Sequence, residues 1–470
     1  MIVDQIDYLK SILDTHIRFH FTEEAVAAYE ETEIIWLDIN EIKDGARFKP
    51  GTILVPITTD QVCDNLWTER FGSTNITLWG KLPRICKEWQ ACSDGSPFWY
   101  SNGKGVFMVA WKMAVIIFDL VTLREEVLST LRDSHGRFVG EMSPRDNKGQ
   151  LDIPVFNNAA AILVDRCLRI KRSEIYELIS LVKPMNLVLS HDLDQLRGDD
   201  FFTQFSRFGR MLRPLSKMKF PDLSQLKFII SNIFFPKKVY LNDLLKMLDA
   251  EKEYGYRSIL YILCGDKGRY GARTSSKHFE RYLKLVPKEF PLGIHYNYNT
   301  HLDEKKFQAQ KKEVEKLAGY EVKIGRAHYL RMDPDNSFRF WARQGVTLDE
   351  SLGYPDRIGY RAGVAGFFFP FDQERQGSVP IVSLPLVAMD SCLGDRYGEE
   401  ALEEVKKHID HLSVVGGTFT LLFHPGSFHS EEFKSTKYLY QNILKYCNKK
   451  DARNIVPGEF LEFINNLGIE

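Results

Sequence analysis

The chain has 470 residues, and its 62 Lys and Arg nearly balance its 63 Asp and Glu, giving a formal net charge of -1. This balance argues against a general nucleic-acid binder, which normally carries a basic excess. Hydrophobic residues make up 44% and charged residues 27%, ordinary values for a globular protein that buries a sizeable core. At roughly 100–200 residues per domain, the length predicts two or three domains.

Three features predict a cytoplasmic location. The N-terminal stretch from Met1 to Tyr8 lacks the basic start and apolar core of a secretory signal. The 7 cysteines include no Cys-x-x-Cys pair, which favours reduced thiols. The longest apolar stretch, 106–121, contains Lys112 and Asp119 and is shorter than the ~20 residues that span a bilayer. We expect that stretch to form buried strands or a core helix.

Residues 1–155 are predicted to form a smaller mixed α+β accessory domain. Helical periodicity covers 6–19, and β-like apolar segments cover 52–57 and 106–118. No catalytic constellation is visible in this part of the sequence. Residues 156–184 are predicted as a helical connector, because apolar residues recur there at helical spacing.

Residues 185–470 are predicted to form a mainly parallel α/β domain, an irregular β/α barrel. Short apolar strands, such as 259–263 and 419–423, each run into polar residues, and amphipathic helical patterns such as 302–317 intervene. The active sites of β/α barrels lie at the C-terminal ends of their strands. The polar residues after these strands are therefore the candidate site.

Four polar clusters follow strand-like runs in this domain. In the first, His191-Asp192-Leu193-Asp194, the two aspartates are alternate residues of a strand and can enter one pocket. Such a pair suggests one carboxylate that binds a divalent metal and one that acts as a base. A turn or a helix cap, where Asp is common, is the structural alternative for this cluster.

The other three clusters add histidines and arginines. In 293–301, His295 is a candidate metal ligand, and Asn299 or His301 could supply another contact; a solvated polar loop is the alternative. The segment 326–331 is rich in groups that hold carboxylates or anions. In the fourth cluster, His424 follows an apolar run and could serve as a general acid.

At these four clusters the sequence resembles the polysaccharide deacetylases with the NodB homology domain, carbohydrate esterase family 4. The resemblance implies that Asp192 is the catalytic base and that Asp194 and His295 bind the metal. It also implies that an arginine, here Arg326, holds the base. The implied cofactor is a divalent metal, zinc first, with cobalt or manganese as alternatives.

The last two motifs assign further roles by the same resemblance. The backbone N–H of Tyr329 is implied to help form the oxyanion hole. Leu422-x-His424 matches the motif whose histidine is the acid, and Asp390, after the run 381–389, is the residue implied to orient it. The implied reaction is hydrolysis of an N-acetyl group on a sugar.

The similarity is strongest to a bacterial subgroup with His-Asp-Val-Asp in its first motif. Matching segments are Gly359-Tyr360-Arg361-Ala362-Gly363 and 369–372, and the segments 123–126 and 133–138 resemble the accessory domain of such proteins. This subgroup implies a role in surface-polysaccharide biosynthesis, with substrates attached to nucleotide or lipid pyrophosphates.

One position departs from the family pattern. Well-studied members have a second histidine four residues after the first, where this chain has Asn299. An amide oxygen is a weaker ligand for zinc than imidazole. Four readings stay open: Asn299 completes a weaker site, the site takes a harder ion, His301 or water joins the shell, or the barrel is catalytically silent and serves carbohydrate binding or scaffolding.

The segment 201–240 combines eight Lys or Arg and eight Phe with one acidic residue, Asp222. Basic residues interleaved with aromatics can lie on an anionic membrane surface or bind a phosphorylated carrier. An amphipathic insertion packed on the barrel is the alternative and the favoured interpretation.

Overall fold

The computed structural model describes residues 3–38, 41–42, 48–57, 89–92, 98–110, 112–146, 149–196, 239–268, 270–272, 274, 276–393, 398–428 and 434–468, with residues 205, 208–209, 212 and 230. The basic and aromatic segment 201–240 therefore lies almost entirely outside the described residues, and its predicted membrane or carrier contact stays a prediction.

The helices and strands alternate along the second half of the chain. The helices are α1 (Val3–His20), α2 (Glu23–Glu30), α3 (Met113–Val121), α4 (Arg124–Leu128), α5 (Val155–Lys171), α6 (Val239–Lys252), α7 (Ser276–Leu283), α8 (Glu304–Ala318), α9 (Ser337–Arg343), α10 (Glu399–Val415), α11 (Lys434–Lys449) and α12 (Pro457–Asn466). The strands are β1 (Ile34–Asp38), β2 (Ile53–Ile57), β3 (Gln90–Ala91), β4 (Trp99–Ser101), β5 (Phe107–Val109), β6 (Asn186–Leu193), β7 (Ser258–Ile262), β8 (Leu292–Tyr296), β9 (Ile324–Ala327), β10 (Leu348–Asp349), β11 (Phe371–Asp372), β12 (Gly377–Ser378), β13 (Val382–Ser383), β14 (Ala388–Met389), β15 (Thr418–Leu422) and β16 (Arg453–Asn454).

The second half forms a parallel sheet. Its strands follow the order β13-β10-β9-β8-β7-β6-β15-β14, and β16 pairs with the start of β6. Each neighbouring pair on this path is parallel, and within the described residues the path begins at β13 and ends at β14. The predicted α/β class is confirmed. Both faces of such a sheet are covered, which is why β6, β7 and β15 consist entirely of buried residues.

The first half contains a smaller mixed sheet. Its order is β1-β2-β5-β4-β3, in which β1, β2 and β5 are parallel and β5, β4 and β3 are antiparallel. Its helices share one hydrophobic cluster with the barrel. The division at residue 155 stays a prediction.

Two predicted elements differ from the structure. Of the β-like run 106–118, only β5 is a strand, and Met113–Val121 is a helix with all of its residues buried. Periodicity cannot separate a buried strand from a buried helix in so apolar a run. In the helical connector predicted over 156–184, the long helix ends at Lys171. Beyond it Ile175 and Leu178 are exposed.

A buried ion pair and a buried hydrogen bond join the first half to the barrel. The Arg361 Nε donates to Glu126 Oε2 at 3.0 Å, and Arg145 Nη2 donates to the hydroxyl of Tyr354 at 2.9 Å. Arg145 also pairs with Glu125. The Arg361–Glu126 contact joins the segments 123–126 and 359–363, each of which resembles the subgroup. Removing one partner of a buried pair typically costs about 3–5 kcal/mol, because the other charge is left unpaired.

Among the described residues, no helix combines the length and apolar character needed to cross a membrane.

A buried histidine pair on α1 predicts acid-sensitive stability. His16 and His20 lie one turn apart with ring centroids separated by 4.5 Å, and neither ring nitrogen of His16 has a hydrogen-bond partner among the described residues. Burial lowers the pKa of His16 to about 3 and that of His20 well below its usual value. In the unfolded chain both take up protons near pH ~6.5. The free energy of unfolding should therefore fall as the pH drops from about 6.5 toward 3.

Leucine has a similar volume to histidine but does not titrate, so His16→Leu removes one of the two buried imidazoles that take up a proton on unfolding. A histidine that stays neutral in the folded protein but is protonated in the unfolded chain lowers the free energy of unfolding by about 2 kcal/mol at pH 5. We expect His16→Leu to lose less stability than wild type between pH 7 and pH 5 in urea unfolding. His278→Leu, at a half-buried position on α7, is the control for the replacement of a histidine by leucine. Equal pH slopes for His16→Leu and wild type would contradict the prediction.

Candidate active site

The carboxyl ends of the barrel strands bring five of the predicted site residues to one cavity. In the sheet β6 lies beside β15 and β7, and His295 on β8 pairs directly with Arg326 on β9. The cavity has a volume of about 330 Å³. Its wall includes Asp192, Asp194, His295, His328, Tyr329 and His424.

Three side chains at the floor of this cavity form a group suited to a metal ion. One ligand atom each of Asp194, His295 and His328 lies within 4.8 Å of the others. Asp194 Oδ1 is 3.3 Å from His295 Nε2, and Asp194 Oδ2 is 3.6 Å from His328 Nε2. His295 Nδ1 lies 2.9 Å from the carbonyl oxygen of Arg326, which fixes that nitrogen as the donor and leaves Nε2 for a ligand.

The chemistry of this group fits a divalent metal. One carboxylate and two imidazoles are the three protein ligands typical of a catalytic zinc site that keeps an open position. Asp194 Oδ1 and His295 Nε2 are buried, and neither has a hydrogen-bond partner among the described residues. Desolvation would raise the pKa of Asp194, but the neighbouring His328 and His295 outweigh it and hold this pKa well below its usual value. The two neighbouring imidazoles thus favour the ionised form of this carboxylate.

The side chain of Asn299, a predicted metal ligand, is bonded to a neighbouring loop. Asn299 lies in the 3-10 turn Tyr298–Thr300, and its amide donates to Asp266 Oδ2 at 2.9 Å. A Cβ on Gly268 would lie only 2.5 Å from the same amide nitrogen, so the 266–268 loop closes over Asn299. Among the His, Cys, Asp and Glu side chains of the described residues, His328 is the one that groups with Asp194 and His295. His301 is also outside the group, and burial lowers its pKa to about 4.

The predicted base is held as expected from the sequence. Arg326 is fully buried, and its Nη1 donates to Asp192 Oδ1 at 2.9 Å. The other carboxylate oxygen of Asp192 lies 3.4 Å from His295 Nε2. One oxygen is therefore engaged by the guanidinium, and the other faces the metal group.

Arg326 has further partners that the sequence reasoning missed. Its Nη2 donates to Ser190 Oγ at 2.8 Å and to Glu350 Oε2 at 3.2 Å, and Glu350 is fully buried. Arg326 therefore remains paired even where Asp192 gives up its charge. The available signal was Asp349-Glu350 directly after a short apolar run, at the end of β10.

The predicted acid and its orienting carboxylate are in contact. His424 Nδ1 lies 2.8 Å from Asp390 Oδ1, and the His424 backbone N–H donates to Asp390 Oδ2 at 2.9 Å. The other ring nitrogen, Nε2, is 4.0 Å from Asp192 Oδ2. Burial alone would lower the pKa of His424, but Asp390, with Asp194 and Asp192, raises it to about 10. The imidazole is thereby kept protonated at neutral pH.

Tyr329 lies in an uncommon backbone turn at the cavity wall. Tyr329 has φ 64° and Leu330 has φ 53°, so two consecutive non-glycine residues occupy the left-handed region. Such residues cost about 1–3 kcal/mol each and persist only where the surroundings hold them. Arg137 does so from the first half of the chain: its Nη1 donates to the Tyr329 carbonyl oxygen at 2.8 Å. Sequence reasoning singled out the segment 133–138 without giving it a place in the site.

No protein-family model and no curated protein matches the sequence. Among solved structures, the chain is similar to a putative polysaccharide deacetylase from Mycobacterium smegmatis, with 16% identity, 61% of this chain and 92% of that chain covered, and a TM-score of 0.40. It is similar to a probable polysaccharide deacetylase from Pseudomonas aeruginosa PAO1, with 11% identity, 60% and 91% covered, and a TM-score of 0.39. A third is BA3943 from Bacillus anthracis, a CE4 family pseudoenzyme, with 11% identity, 59% and 66% covered, and a TM-score of 0.30. These are proteins of the family that the four sequence motifs resemble.

Proposed function

We propose that this protein is a metal-dependent hydrolase that removes N-acetyl groups from a glycan or an activated sugar precursor, in the cytoplasm and in bacterial surface-polysaccharide biosynthesis. The observation that carries the proposal is one cavity that joins three functional parts. These are the Asp192–Arg326 pair, the group of Asp194, His295 and His328, and His424 with Asp390. Hydrolysis of an amide needs all three, because the water, the carbonyl and the departing nitrogen each require a partner.

The metal group supplies one part of this chemistry. A divalent metal held by Asp194, His295 and His328, with zinc first and cobalt or manganese as alternatives, would polarise a carbonyl and lower the pKa of water. The backbone N–H of Tyr329 would meet the negative charge that develops on the carbonyl oxygen.

The protein's own acid and base move the protons. Asp192 takes the proton of the attacking water, while Arg326 fixes the carboxylate and favours its ionised form. His424, held by Asp390, gives its proton to the departing nitrogen. An amide nitrogen leaves poorly until it is protonated, so the high pKa of His424 suits this step.

The test is acetate release by the zinc-loaded protein. N-acetylglucosamine oligomers and nucleotide-linked N-acetylhexosamines are the first substrates, with O-acetylated sugars beside them to separate amide from ester hydrolysis. About one metal per chain and acetate release from an N-acetylated sugar would support the proposal. One metal per chain without acetate from any of these substrates would contradict it, and a chain that binds no metal would favour the silent carbohydrate-binding barrel.

The His424–Asp390 contact predicts a shift in the pH profile. Asp390 is the main group that raises the pKa of His424, so Asp390→Asn should lower this pKa. Because the acid must be protonated, the basic limb of kcat should move to lower pH by about one unit or more. Asp410→Asn, whose carboxylate bonds Tyr446 and Lys450 instead, is the control. An unmoved basic limb in Asp390→Asn would remove His424 from the role of acid.

A further inference from the structure

The segment Asp133–Phe138 forms a preformed turn that reaches the cavity from the first half of the chain. Asp133 Oδ1 accepts the backbone N–H of His135 and that of Arg137, both at 2.9 Å. The backbone N–H of Asp133 donates to the Arg137 carbonyl oxygen at 2.9 Å, which closes the turn. Asp133 also fixes the Arg137 side chain, whose Nε donates to Asp133 Oδ2 at 2.9 Å. Both side chains are therefore oriented before any substrate arrives.

This turn contacts the barrel at the left-handed residues of the cavity wall. The Arg137 guanidinium donates to the Tyr329 carbonyl oxygen, a contact that links residues far apart in the chain. The His135 ring packs on the Tyr329 ring with centroids 4.6 Å apart and planes 32° apart. The Tyr298 hydroxyl lies 3.3 Å from His135 Nδ1. Tyr329 is thus held at its backbone by Arg137 and at its ring by His135.

A strained turn needs such support to keep one geometry. The φ values of Tyr329 and Leu330 place both residues in a region that non-glycine residues seldom adopt. If the turn loosened, the Tyr329 N–H would lose its fixed orientation. An N–H group stabilises an oxyanion well only when it is held in place before the reaction.

We infer that Arg137 is a positioning residue for the reaction, which holds the Tyr329 turn through the Tyr329 carbonyl oxygen, so that the first half of the chain completes the catalytic cavity. This inference rests on the proposed function. The guanidinium suits the task because its planar fork reaches Asp133 with one edge and Tyr329 with another, which a lysine ammonium cannot do at once.

The environment of Arg137 favours this role over recognition of a substrate anion. Asp133 Oδ2 lies 2.7 Å from Arg137 Nη2, so the positive charge already has a close counter-ion. The Arg137 side chain is also only 16% exposed. Both observations favour a residue that acts on its protein neighbour.

The experiment compares Arg137→Ala and Arg137→Lys with Arg132→Ala in the zinc-loaded full chain. Arg132 is a matched control, because it is an arginine of the neighbouring segment whose guanidinium bonds carbonyl oxygens of Ser129, Leu131 and Glu126. We expect kcat to fall about 10- to 100-fold in both Arg137 variants, with KM changed less than about threefold. Added guanidinium should restore part of kcat in Arg137→Ala, and Arg132→Ala should match wild type.

Hydrogen exchange gives a second readout that needs no activity. In Arg137→Ala the Tyr329 and Leu330 amides should exchange faster than in wild type, with the amides of β6 unchanged. Wild-type kcat in Arg137→Ala, or a loss confined to KM, would overturn the inference in an active protein. If wild type releases no acetate from any substrate, the proposed function fails on its own. In that case the exchange rates of the Tyr329 and Leu330 amides in Arg137→Ala decide whether Arg137 holds the turn. Rates equal to those of wild type would reject this role of Arg137.

Discussion

His328→Ala is expected to remove the metal from the protein, whereas Asn299→Ala is expected to retain it. His328 Nε2 faces Asp194, while the Asn299 amide is bonded to Asp266. Loss of one of three protein ligands should weaken zinc binding by at least about 100-fold, more than loss of an outer-shell partner does. Deacetylase activity should fall by more than about 10³-fold, because the Lewis acid is lost with the metal. Elemental analysis after gel filtration gives the metal content of both variants and of wild type.

The paired design separates the two candidate ligand sets. A variant that has only lost its fold would unfold early in a thermal melt, so melting is recorded beside metal content. His295→Ala should behave like His328→Ala, since both imidazoles belong to the same group. The opposite pattern, with metal lost in Asn299→Ala and kept in His328→Ala, would restore the ligand set that the sequence predicted.

Asp192→Asn is expected to abolish most of the turnover while leaving the metal in place. The amide keeps the size of the carboxylate and a partner for Arg326, but it cannot take a proton from water. General-base catalysis typically contributes about 10²–10⁴-fold, and kcat should fall by that factor. Arg326 stays paired with Glu350, so no unpaired buried charge is created and the fold should survive.

The readouts for this variant are kcat, metal content and thermal stability. Glu350→Gln is a useful comparison, because it changes a second partner of the Arg326 guanidinium and leaves the residues that line the cavity unchanged. It should bind metal and keep measurable turnover. Turnover at the wild-type level in Asp192→Asn would show that Asp192 is not the base, and loss of metal would make it a ligand.

The candidate site was predictable where it depends on local sequence. Asp192 lies near the end of β6 and Asp194 directly after it, and Arg326 and His424 lie at or just after the ends of other strands. Parallel strands place their carboxyl ends at one edge of the sheet, so four separate clusters had to meet there. The pairing of Arg326 with Asp192 and of His424 with Asp390 follows the resemblance of the motifs, and the structure brings both pairs together.

Local sequence could not decide which side chain completes the metal group. Asn299 and His328 both follow strands and both carry a possible ligand. The choice depends on the direction of each turn: Tyr298–Thr300 aims Asn299 at Asp266, and the left-handed residues after His328 leave its ring beside Asp194. The direction of each turn depends on its contacts with other loops, which the local sequence does not specify.

The sequence by itself determined the α/β class and the position of the candidate residues at the strand ends, because strand and helix periodicity and strand polarity are short-range properties. Only the tertiary structure decided that Met113–Val121 is a buried helix, that Glu350 shares Arg326, and that Arg137 supports Tyr329. These depend on burial and on contacts between residues far apart in the chain. These contacts form when the two halves pack into one core, and the periodicity of the sequence does not predict them.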